Sequence, residues 1–363
     1  MPQLCFLIVA CRAAKCKLSP PGGALVKQTF VCAAVLAAVA GAAPFLCLAL
    51  PRSPASVPAA VSATAETAAP SQPEPAATSA PEDPLLTDAR EPVLLYDGAA
   101  GGTVSVSPVD YMAGAAASEM PLTWPDDALL AQMVASHTYA LYSRDHGGSD
   151  TDGWLQVNSA LASGWTDEAA LRARWGEDFE ENWARLTKLA EQAADSLVLY
   201  EGAPALTAYH AISSGHTEDS RQVWGEALSY LCGVDSAWDK YSDEYEVTIQ
   251  YSDTQFAAAA ASLGLSLDGD PEDWIGASQW DKAGYVQSIE IGGVSCAGTA
   301  VRSALDLRSA CFAIAWRNGQ FVITTRGYGH GVGLSQYGAK AMAEGGADWR
   351  KILEYYFPGC TVS

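Results

Sequence analysis

The chain has few basic residues. Its 363 residues include 21 lysines and arginines against 42 aspartates and glutamates, which gives a formal net charge of −21 at pH 7. Binding to nucleic-acid phosphates needs a basic patch, so this balance argues against a nucleic-acid partner. The cysteines also lack the spacing of a zinc site. We therefore expect Cys232, Cys296, Cys311 and Cys360 to be buried thiols or to form one or two disulfide bridges, rather than to hold a metal.

Acidic residues are absent from the first 60 positions, which carry five basic ones. Residues 29–50 form an uncharged, mostly apolar run, long enough to cross a bilayer as a helix. Basic residues before such a run place the N-terminus in the cytoplasm. The sequence thus predicts a cytoplasmic N-terminus over 1–28, a transmembrane signal-anchor helix over 29–50, and a single-pass cell-membrane protein whose C-terminal region lies outside the cytoplasm. A cleaved signal peptide, which would leave the rest secreted, is the alternative.

Aromatic residues are missing from residues 51–89, which are rich in proline, alanine, serine and glutamate. Such a segment cannot bury enough apolar surface to fold, so we predict a disordered spacer. The remaining stretch, 90–363, holds all 11 tryptophans and is long enough for a substantial core. Helix signals dominate its first half and strand signals dominate 240–326. We therefore predict an α+β fold with a helical region and a small β-rich subdomain over 240–326.

Two helix starts are well marked in the first half of this region. Ser107 followed by Pro108 predicts a helix that runs to about Glu119, just before Pro121. A second start at 123–126 opens a helix through about Ala140. We predict a third helix over 167–196, a hairpin over 197–212, and a polar loop over 213–217.

Near the C-terminus, glycine occupies every second position from 327 to 333, around His330. Glycine weakens regular structure, so its usual reason in such a place is the close approach of another molecule or another backbone. The stripe is followed directly by Ser335, Gln336 and Tyr337.

Three segments, taken in the order in which they occur along the chain, resemble one family. They are Tyr111-Met-Ala-Gly-Ala-Ala-Ala-Ser-Glu-Met-Pro121 with 128–139, Ala211-Ile-Ser-Ser-Gly-His-Thr-Glu-Asp-Ser220 with 223–225, and the glycine stripe through 356–359. Residues 298–302 and 305–309 add to the match. Together they resemble the SpoIID/LytB family of exported cell-wall proteins over roughly 93–363.

The resemblance implies a lytic transglycosylase of peptidoglycan, acting in sporulation or cell-wall remodelling on glycan strands that an amidase has already stripped of stem peptides. It implies that Glu119 is the catalytic acid. One carboxyl group suffices, because the attacking 6-hydroxyl belongs to the substrate itself. Taken alone, Glu119 would more often be a solvated glutamate at a helix end. Its apolar neighbours favour a raised pKa, as a general acid requires.

The same resemblance suggests residues that bind the substrate in a glycan-binding cleft between the helical region and the β-rich subdomain: Gln132, His137, Ser213, Ser214, Thr217, His330, Ser335, Gln336 and Tyr337. Plainer interpretations remain open. Gln132 is as readily a buried amide, the serines and Thr217 can cap turns, and His330 alone is more often a structural histidine.

Two departures from the family pattern matter. The family has an arginine where this chain has His137, which carries a charge only when protonated. Some members hold zinc through cysteine and histidine after the second helix, whereas residues 143–156 here contain no cysteine. We predict no metal and no other cofactor. The expected partners are peptidoglycan glycan strands, the membrane, an amidase and other cell-wall remodelling proteins.

Two rival functions remain. The first is a non-catalytic peptidoglycan-binding enhancer of an N-acetylmuramoyl-L-alanine amidase, which the altered His137 would favour. The second is a metal-dependent hydrolase built on His210, His216 and His330. It is weaker because no two of these histidines have ligand spacing on one element.

Overall fold

The computed structural model describes residues 89–147 and 152–363. The strands are β1 (Val93–Asp97), β2 (Gly102–Val106), β3 (Leu155–Val157), β4 (Val198–Tyr200), β5 (Ala203–Pro204), β6 (Tyr209–His210), β7 (Glu246–Tyr251), β8 (Ile275–Trp280), β9 (Val286–Ile291), β10 (Val294–Ala297), β11 (Phe312–Arg317), β12 (Gln320–Arg326), β13 (Leu334–Ser335) and β14 (Thr361–Val362). The α-helices are α1 (Pro108–Glu119), α2 (Asp126–Asp145), α3 (Glu168–Trp175), α4 (Phe179–Ala193), α5 (Ser220–Trp224), α6 (Asp253–Ala261), α7 (Gly298–Ala304), α8 (Gln336–Glu344) and α9 (Trp349–Tyr356). Small separate sheets mixed with helices confirm the α+β class.

Helix α1 starts and stops where the sequence predicts. The Ser107 hydroxyl accepts a hydrogen bond from the Asp110 backbone N–H at 3.1 Å, and Pro108 occupies the first helical turn. The helix ends at Glu119, so this side chain projects from its last turn. Helix α1 packs against α2 and α4. This contact belongs to the larger hydrophobic core, which also takes in α8 and α9.

The third predicted helix is instead two helices. Gly176 has a φ of 57° and lies in a short 3-10 turn, Gly176–Asp178, that separates α3 from α4. A single helix cannot continue through a positive φ. Helix α4 buries Phe179, Leu186 and Leu189 in the core.

The predicted hairpin over 197–212 is only partly correct. Strands β4 and β5 form a short antiparallel pair, but the chain then leaves it. Strand β6 pairs in parallel with β13, so that Tyr209 lies opposite Leu334 and His210 lies opposite Ser335. This pairing brings the segment before the polar loop beside the segment after the glycine stripe. It is the contact that assembles the candidate site.

Residues 246–326 contain two three-stranded antiparallel sheets, in the orders β10-β9-β8 and β11-β12-β7. The two residues Asn318 and Gly319 form the turn that joins β11 to β12. A second hydrophobic core, built around Phe256, Val301 and Phe321, lies between these strands and helices α6 and α7. The sequence did not indicate strand β8, whose alternation of apolar residues is weak. That 240–326 is a separate subdomain stays a prediction.

The predicted N-terminal segment, the transmembrane helix over 29–50 and all but the last residue of the spacer lie outside the described residues. Among the residues that are described, no helix combines the length and apolarity needed to span a bilayer. Cys232, Cys296, Cys311 and Cys360 are all free thiols. The expectation of buried thiols is confirmed for Cys311 and Cys360, and burial raises the pKa of each. It is wrong for Cys232, which is exposed, and Cys296 is half-buried.

Candidate active site

The carboxyl group of Glu119 lies between two hydrogen-bond donors from distant parts of the chain. Gln336 Nε2, at the start of α8, donates to Glu119 Oε2 at 3.1 Å. The Tyr209 hydroxyl, from β6, donates to Glu119 Oε1 at 3.4 Å. Glu119 as a whole residue is half-buried. The β6–β13 pairing places both donors on this carboxyl group, since Tyr209 belongs to β6 and Gln336 directly follows β13.

The surroundings of Glu119 favour its protonated form. Desolvation by the surrounding protein atoms raises its pKa to about 8, against smaller opposing effects of the hydrogen bonds from Gln336 and Tyr209. The charged form loses its hydration there and has no basic partner to compensate among the causes of the shift. At pH 7 the group therefore holds its proton. A carboxylic acid that is neutral at pH 7 is suited to donating a proton.

A chain of amides continues from this carboxyl group into the core. Gln336 Nε2 also donates to Gln132 Oε1 at 3.2 Å, and Gln132 Nε2 donates to Ser136 Oγ at 3.0 Å. Gln132 and Ser136 lie one turn apart on α2 and are fully buried. Gln132 is therefore a buried amide that orients Gln336. We call Glu119, Gln132, Ser136, Tyr209 and Gln336 the Glu119 cluster.

Asp239 ties the polar loop to the start of α8. The backbone N–H of Ser213 donates to Asp239 Oδ2 at 2.8 Å, and the Ser213 hydroxyl donates to the same oxygen at 2.5 Å. The Ser335 hydroxyl donates to Asp239 Oδ1 at 2.9 Å. Ser335 also caps α8, because its hydroxyl accepts from the Gly338 N–H at 3.2 Å. Burial, opposed by these hydrogen bonds, raises the pKa of Asp239 to about 6.

The other polar residues of the loop bind protein backbone. The Ser214 hydroxyl donates to the Ala283 carbonyl at 2.6 Å, and the Thr217 hydroxyl accepts from the Val234 N–H at 2.7 Å. Ser213, Ser214 and Thr217 are all buried. These hydrogen bonds join the loop to distant segments of the same chain, 17 to 69 residues away, and a contact with substrate stays a prediction for each.

The glycine stripe is explained by close neighbours within the protein. A Cβ at Gly331 would collide with the Tyr285 hydroxyl, and one at Gly333 would collide with the Ala208 carbonyl oxygen. Both glycines have positive φ, 83° and 74°. The close approach that the sequence predicted is therefore made by other parts of the same chain. This packing holds β13, and with it Gln336, against β6.

His330, like His137, makes no hydrogen bond to Glu119 in the described part of the chain. Nδ1 of His330 accepts from the Val332 N–H at 3.0 Å, and its half-buried ring lies beside Trp224 with 5.3 Å between ring centroids. Burial and the neighbouring His210 hold the pKa of His330 well below its usual value.

His137 has no exposed surface, and neither ring nitrogen has a hydrogen-bond partner among the described residues. Burial lowers its pKa to about 4, so the ring is neutral at pH 7. A substrate contact by His137 stays a prediction that its buried position does not support.

Tyr337 packs edge-on against Trp124, at 4.8 Å between centroids, beside the Glu119 cluster.

The sequence did not single out three residues that the structure makes prominent. Tyr209 and Asp239 lie outside the quoted motifs, and only the tertiary fold brings them to Glu119 and to Ser335. Glu218 lies within a motif, directly after Thr217 and before Asp219, and it is buried although its neighbour Asp219 is not. In 89–147 and 152–363, no group of three or more histidine, cysteine or acidic side chains is placed to hold a metal ion.

Comparisons with known proteins identify the family of this chain. A family model described as Stage II sporulation protein (SpoIID) matches residues 97–200. Stage II sporulation protein D of Bacillus amyloliquefaciens is 31% identical over 284 residues, covering 77% of this chain and 81% of that protein. Its counterpart in Bacillus subtilis (strain 168) is 33% identical over 259 residues, covering 70% and 74%. The amidase enhancer of Bacillus subtilis (strain 168) is 25% identical over 301 residues, covering 69% of this chain and 40% of that protein. The chain belongs to the SpoIID/LytB family.

Proposed function

We propose that this protein is a lytic transglycosylase that cleaves peptidoglycan glycan strands whose stem peptides have been removed, with Glu119 as the only acid and base. The observation that carries the proposal is the geometry of Glu119, whose carboxyl group stands at the end of α1 and accepts hydrogen bonds from the neutral Gln336 amide and Tyr209 hydroxyl, in surroundings that raise its pKa to about 8. A carboxyl group that keeps its proton at pH 7 can protonate a leaving oxygen.

The reaction needs one proton to leave Glu119 and one to return. Glu119 gives its proton to the glycosidic oxygen, and the bond between that oxygen and C1 of the muramyl sugar breaks. The 6-hydroxyl oxygen of the same sugar then bonds to C1, and its proton passes to the Glu119 carboxylate. The products are a 1,6-anhydro-muramyl end and a new free hydroxyl end, with no water consumed.

Gln336 and Tyr209 have a positioning role in this scheme. Each donates a hydrogen bond to one carboxyl oxygen, and both interactions strengthen when Glu119 is negatively charged. They stabilise the carboxylate that forms after the first proton transfer. Gln132 fixes the amide orientation of Gln336, because it accepts the second hydrogen bond of the same Nε2.

Denuded glycan strands, incubated with the purified protein, test the proposal directly. We expect anhydro-muramyl ends detectable by mass spectrometry from the native chain and none from Glu119→Gln. The matched control is Glu177→Gln, which removes an exposed carboxylate that shares no hydrogen bond with the Glu119 cluster among the described residues. A yield from Glu119→Gln equal to that of the control would rule out Glu119 as the acid.

The cellular setting is part of the same proposal. An exported protein held by residues 29–50 on the outer face of the membrane would meet glycan strands there, and the spacer would give it reach. Fractionation of cells expressing the full chain, with protease added from outside, tests it. The prediction fails if the chain remains in the cytoplasm.

A non-catalytic role is the second candidate, because one relative is named an amidase enhancer and His137 replaces the family's arginine. The experiment that separates the two roles measures release of stem peptides by a purified amidase with and without this protein. Stimulation by both native chain and Glu119→Gln, without anhydro ends from either, would favour the enhancer.

A further inference from the structure

Hydrogen bonds join the five residues of the Glu119 cluster into a closed ring. Gln336 Nε2 donates to Glu119 Oε2 at 3.1 Å and to Gln132 Oε1 at 3.2 Å. Gln132 Nε2 donates to Ser136 Oγ at 3.0 Å. The Tyr209 hydroxyl donates to Glu119 Oε1 at 3.4 Å. The ring closes between Ser136 and Tyr209, because a hydrogen bond joins their hydroxyl groups.

The hydroxyl proton of Ser136 has one acceptor. A serine inside a helix commonly donates to the backbone carbonyl four residues earlier or faces solvent. Ser136 has no exposed surface, and in the described part of the chain no hydrogen bond joins its hydroxyl to a backbone carbonyl. Its oxygen already accepts from Gln132. Its proton therefore points towards the Tyr209 hydroxyl, the partner that remains.

This direction decides what Tyr209 can do. A tyrosine hydroxyl has a single proton. Because the Tyr209 oxygen accepts from Ser136, that proton is left for Glu119 Oε1. If Tyr209 donated to Ser136 instead, its oxygen would be open to the acid proton of Glu119. In the observed direction the ring only donates to the carboxyl group, so the proton of Glu119 stays available to a leaving oxygen.

The backbone of Ser136 is tied to the helix that carries the acid. Its carbonyl oxygen accepts a hydrogen bond from the Tyr111 hydroxyl at 3.2 Å, and both residues are buried. Tyr111 belongs to α1, which ends at Glu119, whereas Ser136 belongs to α2. This contact fixes the position of the Ser136 hydroxyl relative to α1.

We propose that Ser136 is a positioning residue for Glu119, whose hydroxyl directs the proton of Tyr209 to the carboxyl group. The inference rests on the proposed role of Glu119 as acid and base. A hydroxyl group that accepts a hydrogen bond becomes a better donor. Ser136 thereby stabilises the carboxylate that forms after the first proton transfer, and it keeps the acid proton out of the ring.

Ser136→Ala tests this role through the pKa of Glu119, measured by ¹³C carboxyl NMR on the full-length protein. Loss of the donor to Tyr209 weakens the hydrogen bond to the carboxylate, so the pKa should rise by about 0.5–1 unit, the equivalent of one neutral hydrogen bond. On denuded strands kcat should fall about 3–10-fold with KM unchanged, because a fully buried serine does not contact the substrate.

Ser143→Ala is the matched control. Ser143 is a second buried serine of α2, and its hydroxyl hydrogen-bonds to Tyr139 rather than to the ring. This variant should leave the pKa of Glu119 and kcat unchanged. Ser136→Cys keeps a weak donor of similar size and should raise the pKa less than Ser136→Ala does. If Ser136→Ala does not fold, Ser136→Cys carries the test, and a pKa equal to that of the native protein would overturn the proposal.

A double variant measures the coupling between Ser136 and Tyr209. Tyr209→Phe removes the group through which Ser136 acts. The rise in the pKa of Glu119 in Ser136→Ala/Tyr209→Phe should therefore be smaller than the sum of the rises in the two single variants. An unchanged pKa in Ser136→Ala, an equal rise in Ser143→Ala, or fully additive rises in the double variant would each overturn the proposal.

The two proposals can fail separately. Anhydro ends from the native chain, together with an unchanged pKa of Glu119 in Ser136→Ala, would overturn the positioning role alone. A raised pKa in Ser136→Ala, with no anhydro ends from the native chain, would overturn the transglycosylase proposal and leave the effect of Ser136 on the carboxyl group intact.

Discussion

Replacing Gln336 by methionine should raise the pKa of Glu119. The change removes the amide that donates to Glu119 Oε2 at 3.1 Å while keeping a side chain of similar length. That hydrogen bond favours the charged form, so its loss favours the proton. A hydrogen bond to a charged group is worth about 1.5–3 kcal/mol. At about 1.4 kcal/mol per pKa unit, the pKa should rise from about 8 to between about 9 and 10.

The titration can be followed without any assay of activity. Protein labelled with ¹³C at the glutamate side-chain carboxyl gives a resonance for Glu119 that Glu119→Gln identifies, and its chemical shift against pH gives the pKa. Gln320→Met is the matched control, since Gln320 is exposed on β12 and no hydrogen bond joins it to Glu119. An unchanged or lowered pKa in Gln336→Met would refute the assigned role of Gln336.

Three further predictions follow from the same contacts. The kcat/KM for strand cleavage should fall tenfold per pH unit above about pH 8, where Glu119 loses its proton, and a rate still rising there would contradict its role as acid. Ser335→Ala should cost about 2–4 kcal/mol of unfolding free energy, because its hydroxyl both caps α8 and donates to the buried Asp239, and it should also lower kcat/KM. Ser252→Ala, which removes the cap of α6 alone, should cost about 1 kcal/mol in urea melts and leave kcat/KM unchanged. Gly338→Ala should destabilise by about 1–3 kcal/mol in the same melts because its Cβ meets the Tyr356 hydroxyl, while Gly102→Ala, with open space around it, should change little.

Burial of Asp239 adds a pH dependence to stability. Its pKa in the folded protein, about 6, lies above the usual value of 3.8 for an aspartate. The folded state therefore binds the proton more tightly, so the contribution of this group is greatest below about pH 4 and is lost as the pH rises through about 6. Asp239→Asn should flatten that part of the stability curve in urea titrations. A curve identical to that of the native protein would contradict this assignment.

The sequence predicted the parts of the site that depend on local signals. Ser107 and Pro108 predicted where α1 begins, and Pro121 predicted that Glu119 would stand at its end. Neighbouring glycines predicted a close approach around His330, although the partner is the protein itself. These features depend on caps, proline geometry and φ angles, which a few adjacent residues determine.

The rest depends on contacts between distant segments. Tyr209 reaches Glu119 only because β6 pairs with β13, and no periodicity in a two-residue strand indicates that pairing. Asp239 lies in a short 3-10 turn, and its role comes from Ser213 and Ser335, which are 26 and 96 residues away. His330 was predicted to line the glycan-binding cleft. In the described part of the chain no hydrogen bond joins it to Glu119, and it lines a pocket together with Glu218 and Arg302.

The most direct test of the central claim is the chemistry of the new strand ends. Denuded glycan strands treated with the native protein in water enriched in ¹⁸O should yield 1,6-anhydro-muramyl ends without ¹⁸O, and Glu119→Gln should yield none. Reducing ends that carry ¹⁸O would show hydrolysis instead and would contradict a mechanism in which the substrate's own hydroxyl attacks. Anhydro ends in undiminished amount from Glu119→Gln would contradict the role of Glu119.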